Sequence, residues 1–223
     1  MTPVSDTCVT RSVKADQFRF EADLPLKFLK IRKNSPNVQE IIRELRQLYT
    51  DYHRLARPVY RYRLAGITKL CAASGEIILS PGPLKLSGSG LVRRMQRCEA
   101  VCLFLLTLGA SLDERIQGLS REDEVAAYFL NAVAYSLIHQ VLGIMKEELS
   151  QICRRAGLTL LPRYAPGYAG WPLEDQRSLY DYLKGEEIGI RINEQFFLAP
   201  QHSISGIFGL LAESDQTEGN RDL

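Results

Sequence analysis

The sequence lacks the features that would assign it most directly. Its 223 residues include three histidines and no Cys-x-x-Cys pair, and the five cysteines (Cys8, Cys71, Cys98, Cys102, Cys153) are an odd, scattered set. That argues against a disulfide framework, and His53, His139 and His202 show no metal spacing. Cys98 and Cys102 are four apart, but they border a segment that reads as a buried strand, so core thiols are the expectation. A charge excess is also missing. Twenty-eight Lys and Arg against 26 Asp and Glu leave +2, so no global field draws the chain to nucleic acid or to an anionic membrane. The N-terminus has no cationic region followed by an apolar stretch, and the most apolar run, 100–110, is too short to cross a bilayer. The expectation is a cytoplasmic protein.

What is present is an ordinary globular composition, 45% hydrophobic and 24% charged, enough to bury a core. Residues 1–20 are polar and without period and read as a flexible N-terminus; residues 212–223 read as a polar tail. Between them, 21–211 reads as one domain, without internal repeat or low-complexity linker. The spacing of Val38, Ile41, Ile42, Leu45, Leu48, Tyr49, Tyr52 and Leu55 predicts an amphipathic helix over 37–57 with Asn37 as N-cap. Strands are predicted over 59–64 and 76–79, a short helix over 87–98, and a central strand over 101–108 that turns at Gly109 into a helix. A long helix spans 122–154. Its second face, Ala132, Ser136, His139, Gln140 and Gly143, suits either close helix packing or one wall of a ligand site. A strand over 158–161, a helix over 173–183 and strands over 189–192, 194–198 and 203–210 complete an α+β domain. Its sheet is expected to be twisted and mainly antiparallel, with several flanking helices.

The segment 163–172, Arg-Tyr-Ala-Pro-Gly-Tyr-Ala-Gly-Trp-Pro, departs most from generic folding needs. Pro166 restricts Ala165 to extended conformations, and Gly167 permits a backbone that other residues resist. Such a loop presents its carbonyl and N–H groups in fixed directions. Arg163 adds a planar fork suited to a carboxylate, and Tyr168 a flat face with a hydroxyl tip. An amino acid joined to a nucleoside needs groups of this kind. A rigid turn whose arginine caps a helix and whose aromatics are core is the other reading of the same residues.

Arg-x-Ala-Pro-Gly-Tyr-x-x-x-Pro at 163–172 resembles the S-adenosylmethionine-binding signature of the activation domain of cobalamin-dependent methionine synthase. The later stretch 191–206, ending in Pro200-Gln201-His202-Ser203-Ile204-Ser205-Gly206, is similar to that family's closing strand and Pro-x-x-Ser-x-Ser-Gly loop. The whole chain is similar to free-standing versions of the domain. The resemblance implies the fold of that domain and S-adenosylmethionine as ligand. It also implies a partner, a methionine synthase or corrinoid protein carrying cobalamin, and a flavodoxin-like or other electron donor. Arg163 would bind the methionyl carboxylate, Ala165 and Gly167 would hold the ligand by their backbones, and Tyr168 would line the pocket, with His139, Gln140, Ser203 and Ser205 as further pocket candidates. The implied activity is reductive methylation of cob(II)alamin on the partner, with this chain as activation subunit and no catalytic acid, base or metal of its own. A non-catalytic module that binds S-adenosylmethionine or a corrinoid protein is the alternative. The family often has a glutamate where this chain offers His139 or Gln140, and tyrosines where it has Ile207-Phe208-Gly209-Leu210.

Overall fold

The computed structural model describes residues 8–213. They form the expected single α+β domain around a seven-stranded sheet in which every paired neighbour is antiparallel. The strands are β1 (Val9–Ser12), β2 (Val59–Cys71), β3 (Glu76–Ser80), β4 (Leu84–Ser87), β5 (Ala100–Thr107), β6 (Leu158–Leu160) and β9 (Ser203–Ala212); β7 (Arg191–Ile192) and β8 (Leu198–Ala199) form a separate ribbon. The order is β4-β3-β2-β5-β9-β6, with β1 sharing the far edge of β2. The helices are α1 (Asp23–Phe28), α2 (Val38–Tyr52), α3 (Ser89–Met95), α4 (Ala110–Leu119), α5 (Glu124–Arg155) and α6 (Asp175–Leu183).

All eight residues of β5 are buried because helices cover both faces of the sheet. The side chains of Cys102, Phe104 and Leu106 join Phe208 and Leu210 under α1, α2, α4 and α5. Those of Val101, Leu103 and Leu105 join Ile207, Trp171 and Leu179 under α3 and α6. The period-two alternation of a strand divides the two cores. Among the described residues α5 is the one helix long and apolar enough to cross a membrane, but more than half of its most apolar window is buried. It is a core helix, packed on α1, α2, α4 and β6. Asp123 caps it, its carboxylate accepting from the Ala126 N–H at 2.9 Å.

Several expectations need correction. Residues 9–20 are part of the fold: β1 pairs with Val59–Tyr62 of β2, and Val13 and Phe18 are buried. The rest of the expected flexible N-terminus, 1–7, lies outside the described residues, as does 214–223 of the expected tail, while Ala212 ends β9. Asn37 does not cap α2 through its side chain. It sits at φ 64°, and its carbonyl accepts from Glu40 and Ile41. Strand β4 follows the 80–83 turn where none was predicted. The strand expected over 194–198 is mostly a turn, with Phe196 left-handed and the Asn193 side chain accepting from the Phe197 N–H at 2.9 Å.

Candidate functional site

The segment 163–172 leaves β6 and runs beside β9. Tyr164 exchanges both backbone hydrogen bonds with Ile207, at 2.9 and 2.8 Å. By the alternation of an antiparallel strand, Ser205 then points its backbone groups to the same side. Strand β6 covers only the far end of β9, opposite Leu210–Ala212, so the beginning of β9 is an open sheet edge facing the loop. Gly206 allows this approach, since a Cβ there would lie 2.8 Å from the Tyr164 carbonyl and 2.9 Å from the Phe104 ring.

The loop is held from below. Tyr164 stacks on Trp171 with ring centroids 5.6 Å apart, and its hydroxyl donates to the Ala169 carbonyl. Gly167, at φ 85°, donates to the Trp171 carbonyl at 2.9 Å, which closes the turn. Asp175, at the start of α6, accepts from Trp171 Nε1 at 2.8 Å and from the Ser87 N–H at 2.7 Å, tying loop, helix and β4 together. Burial pushes its carboxyl above the ordinary aspartate value, against the two hydrogen bonds. Replacing Asp175 by Ala strands both donors in a half-buried site. We expect a loss of about 2–3 kcal/mol in urea unfolding, with Asp175→Asn keeping part of it because one amide oxygen still accepts.

Above this base, Arg163, Ala165, Pro166, Tyr168, Ser203 and Ser205 line a cleft of about 260 Å3 together with Gln176, Phe197, Leu198, Gln201 and Ile204. The Arg163 guanidinium donates to the Ser205 carbonyl at 3.3 Å and to the Tyr168 hydroxyl at 2.5 Å. The Ser205 hydroxyl donates to Gln176 Oε1 at 2.8 Å, and Gln176 Nε2 donates to the Phe196 carbonyl at 2.5 Å. Thus Gln176, unremarked in the sequence, joins β9 to the β7–β8 turn. Ser203 Oγ is turned to Thr107, 2.9 Å away.

The structure therefore gathers Arg163, Ala165, Tyr168, Ser203 and Ser205 at one cleft, and gives Gly167 the turn beside it. Gln140 is excluded from that set: its amide donates to the Arg19 carbonyl and accepts from the Arg19 N–H, both at 2.9 Å, so it fastens the N-terminal segment. His139 lies within the electrostatic reach of Arg163 without lining the cleft. Burial, then Arg163 and Lys27, hold its imidazole below the usual 6.5. The folded chain thus takes up fewer protons here than the unfolded chain, so stability is present above about pH 6.5 and is lost as pH falls through the depressed folded value. Thermal melts at pH 7 and pH 5 are expected to differ less for His139→Gln than for wild type.

His202 is buried against α4. Its Nδ1 pairs with Asp113 Oδ1, and its backbone N–H donates to Asp113 Oδ2 at 3.2 Å. Cys98, Cys102 and Cys153 are buried free thiols. No group of three or more His, Cys, Asp or Glu is placed to hold a metal ion among the described residues.

Fold and site together define an α+β domain with a cleft at an open sheet edge, walled by a rigid Pro-Gly loop. The solved structure of the MetH reactivation domain bound to AdoHcy has this fold: it superposes with a TM-score of 0.67 over 93% of this chain and 80% of that one, at 13% sequence identity. No protein-family model and no curated protein matches the chain.

Proposed function

We propose that this chain binds S-adenosylmethionine in the Arg163 cleft. Docked as an activation subunit on a cobalamin-bearing methionine synthase or corrinoid protein, it then supports reductive methylation of the partner's cob(II)alamin. The observation that carries this reading is the arginine fork at an open strand edge, in the fold of a domain whose structure holds AdoHcy. In this reading Arg163 takes the carboxylate, and the backbones of Ala165 and Ser205 bind the amino-acid end. Tyr168, 44% exposed, supplies one face of the cleft.

S-adenosylmethionine would supply a methyl group already made electrophilic by the sulfonium and leave as S-adenosylhomocysteine, while one electron from a flavodoxin-like or other donor would supply the reduction. The chain needs no nucleophile, acid or base. Its residues orient the ligand against the partner and exclude water. A cytoplasmic setting fits this role.

Isothermal titration of the wild-type chain with S-adenosylmethionine, alone and with a corrinoid partner, tests the first step, and no heat of binding in either case would sink it. The absorption spectrum of a cob(II)alamin partner mixed with chain, ligand and reductant tests the second. Conversion to the methyl form is expected. Binding without conversion would leave a non-catalytic S-adenosylmethionine module.

A further inference from the structure

The Arg163 cleft, about 260 Å3, is smaller than the ~300–1,000 Å3 that small-molecule sites usually occupy. A larger chamber of about 590 Å3 adjoins it, and Phe197, Leu198 and Gln201 line both. The chamber lies between α4 and the β7–β8 ribbon. Of the two carboxylates at the start of α4, Asp113 is taken by His202. Glu114 is exposed, and its side chain makes no hydrogen bond or ion pair among the described residues; the same holds for Arg191 on the opposite wall. The Phe197 ring, 60% exposed, stands on the rim between the two spaces. An apolar ring held out in water between two cavities, beside unpaired charges of both signs, is the character of a binding wall rather than of a folding contact.

We propose that the chamber is the nucleoside half of the same site, in which Glu114 accepts the ribose hydroxyls and Phe197 faces the sulfonium at the junction. This rests on the S-adenosylmethionine reading above. With the carboxylate fixed at Arg163, the nucleoside end has room on the far side of Phe197. A carboxylate there accepts from two adjacent hydroxyls, as acidic residues do at ribose elsewhere. A positive sulfonium is drawn to the ring face, whereas the neutral thioether of S-adenosylhomocysteine is not.

The test is calorimetric titration of S-adenosylmethionine, S-adenosylhomocysteine, adenosine and methionine against wild type, Glu114→Gln, Phe197→Ala and Arg163→Ala. Glu114→Gln is expected to weaken S-adenosylmethionine and adenosine about tenfold, the effect of one charge-assisted hydrogen bond. Methionine binding and the thermal melt should not change. Phe197→Ala is expected to lower the preference for S-adenosylmethionine over S-adenosylhomocysteine about threefold. If Glu114→Gln and Phe197→Ala leave S-adenosylmethionine within twofold of wild type while Arg163→Ala weakens it, the nucleoside lies elsewhere and only this inference falls. Equal weakening of adenosine and methionine by Glu114→Gln would also overturn it. If wild type binds no S-adenosylmethionine, the functional reading falls and takes this one with it.

Discussion

Gly90→Ala is expected to unseat the 163–172 loop and to cost about 3 kcal/mol or more, a fall of roughly 6–12 °C in Tm for a chain of this size. Helix α3 meets the loop backbone to backbone: the Gly90 N–H donates to the Gly170 carbonyl at 2.9 Å. A Cβ on Gly90 would lie 2.5 Å from the Ala169 carbonyl, 2.5 Å from the Tyr164 hydroxyl and 3.1 Å from the Gly170 Cα. The hydroxyl is itself bonded to Ala169, and the two backbone atoms belong to the turn that places Tyr168 and Trp171, so no flexible side-chain end is available to move aside. The loop must lift from α3, and ligand binding should fall with it. Gly143→Ala is the contrast. That glycine is helical, with nothing within 4 Å of its Cβ position, and the substitution is expected to stabilise by about 0.5–1 kcal/mol. Thermal melts of the two variants, with S-adenosylmethionine titrations, separate loop seating from a general cost of added bulk.

The parts of the fold that rest on one strong period were legible in the sequence. Helices α2 and α5 and strand β5 carry long apolar registers, and local chemistry marked 163–172 because prolines and glycines restrict a backbone whatever lies around it. The short edge elements were not legible. Val9–Ser12 is four residues with one partly buried side chain, and it becomes a strand only because the far edge of β2 is free beside it. Strand β4 is equally short, and besides its hairpin partner β3 it is held by Asp175 on α6, 88 residues from Ser87 in sequence. The site divides along the same line. Arg163 and Ser205 were both marked, although 42 residues separate them and only the pairing of Tyr164 with Ile207 brings them together. Gln176, which also lines the cleft, carries no local signal, since a glutamine on a helix is unremarkable until the sheet edge is assembled. Gln140 shows the converse. Its place on the polar stripe of α5 fitted a ligand wall, but the N-terminal segment, read as flexible, folds back and occupies its amide.

Arg163→Ala is expected to weaken S-adenosylmethionine binding about a hundredfold while changing stability by less than about 1 kcal/mol. Guanidinium nitrogens engage the Ser205 carbonyl and the Tyr168 hydroxyl, which hold the group at the cleft; with five N–H donors, the arginine keeps others free for a ligand carboxylate. Hydrogen bonds to a charged group contribute about 1.5–3 kcal/mol each, so even at the lower end losing a two-pronged contact corresponds to roughly two orders of magnitude in Kd. The stability cost is small because the side chain is only partly buried and its partners reach water once it is gone. Arg163→Lys is expected to recover only part of the affinity, because an ammonium restores the charge but not the planar fork. Tyr168→Phe separates the two roles of the contact: losing the hydroxyl frees one guanidinium nitrogen but leaves the ring, whose centroid lies 5.5 Å from the Arg163 guanidinium carbon, so its effect on Kd should stay within about tenfold. An Arg163→Ala variant that binds S-adenosylmethionine as tightly as wild type would remove the carboxylate from this cleft, and with it the assignment of the amino-acid end.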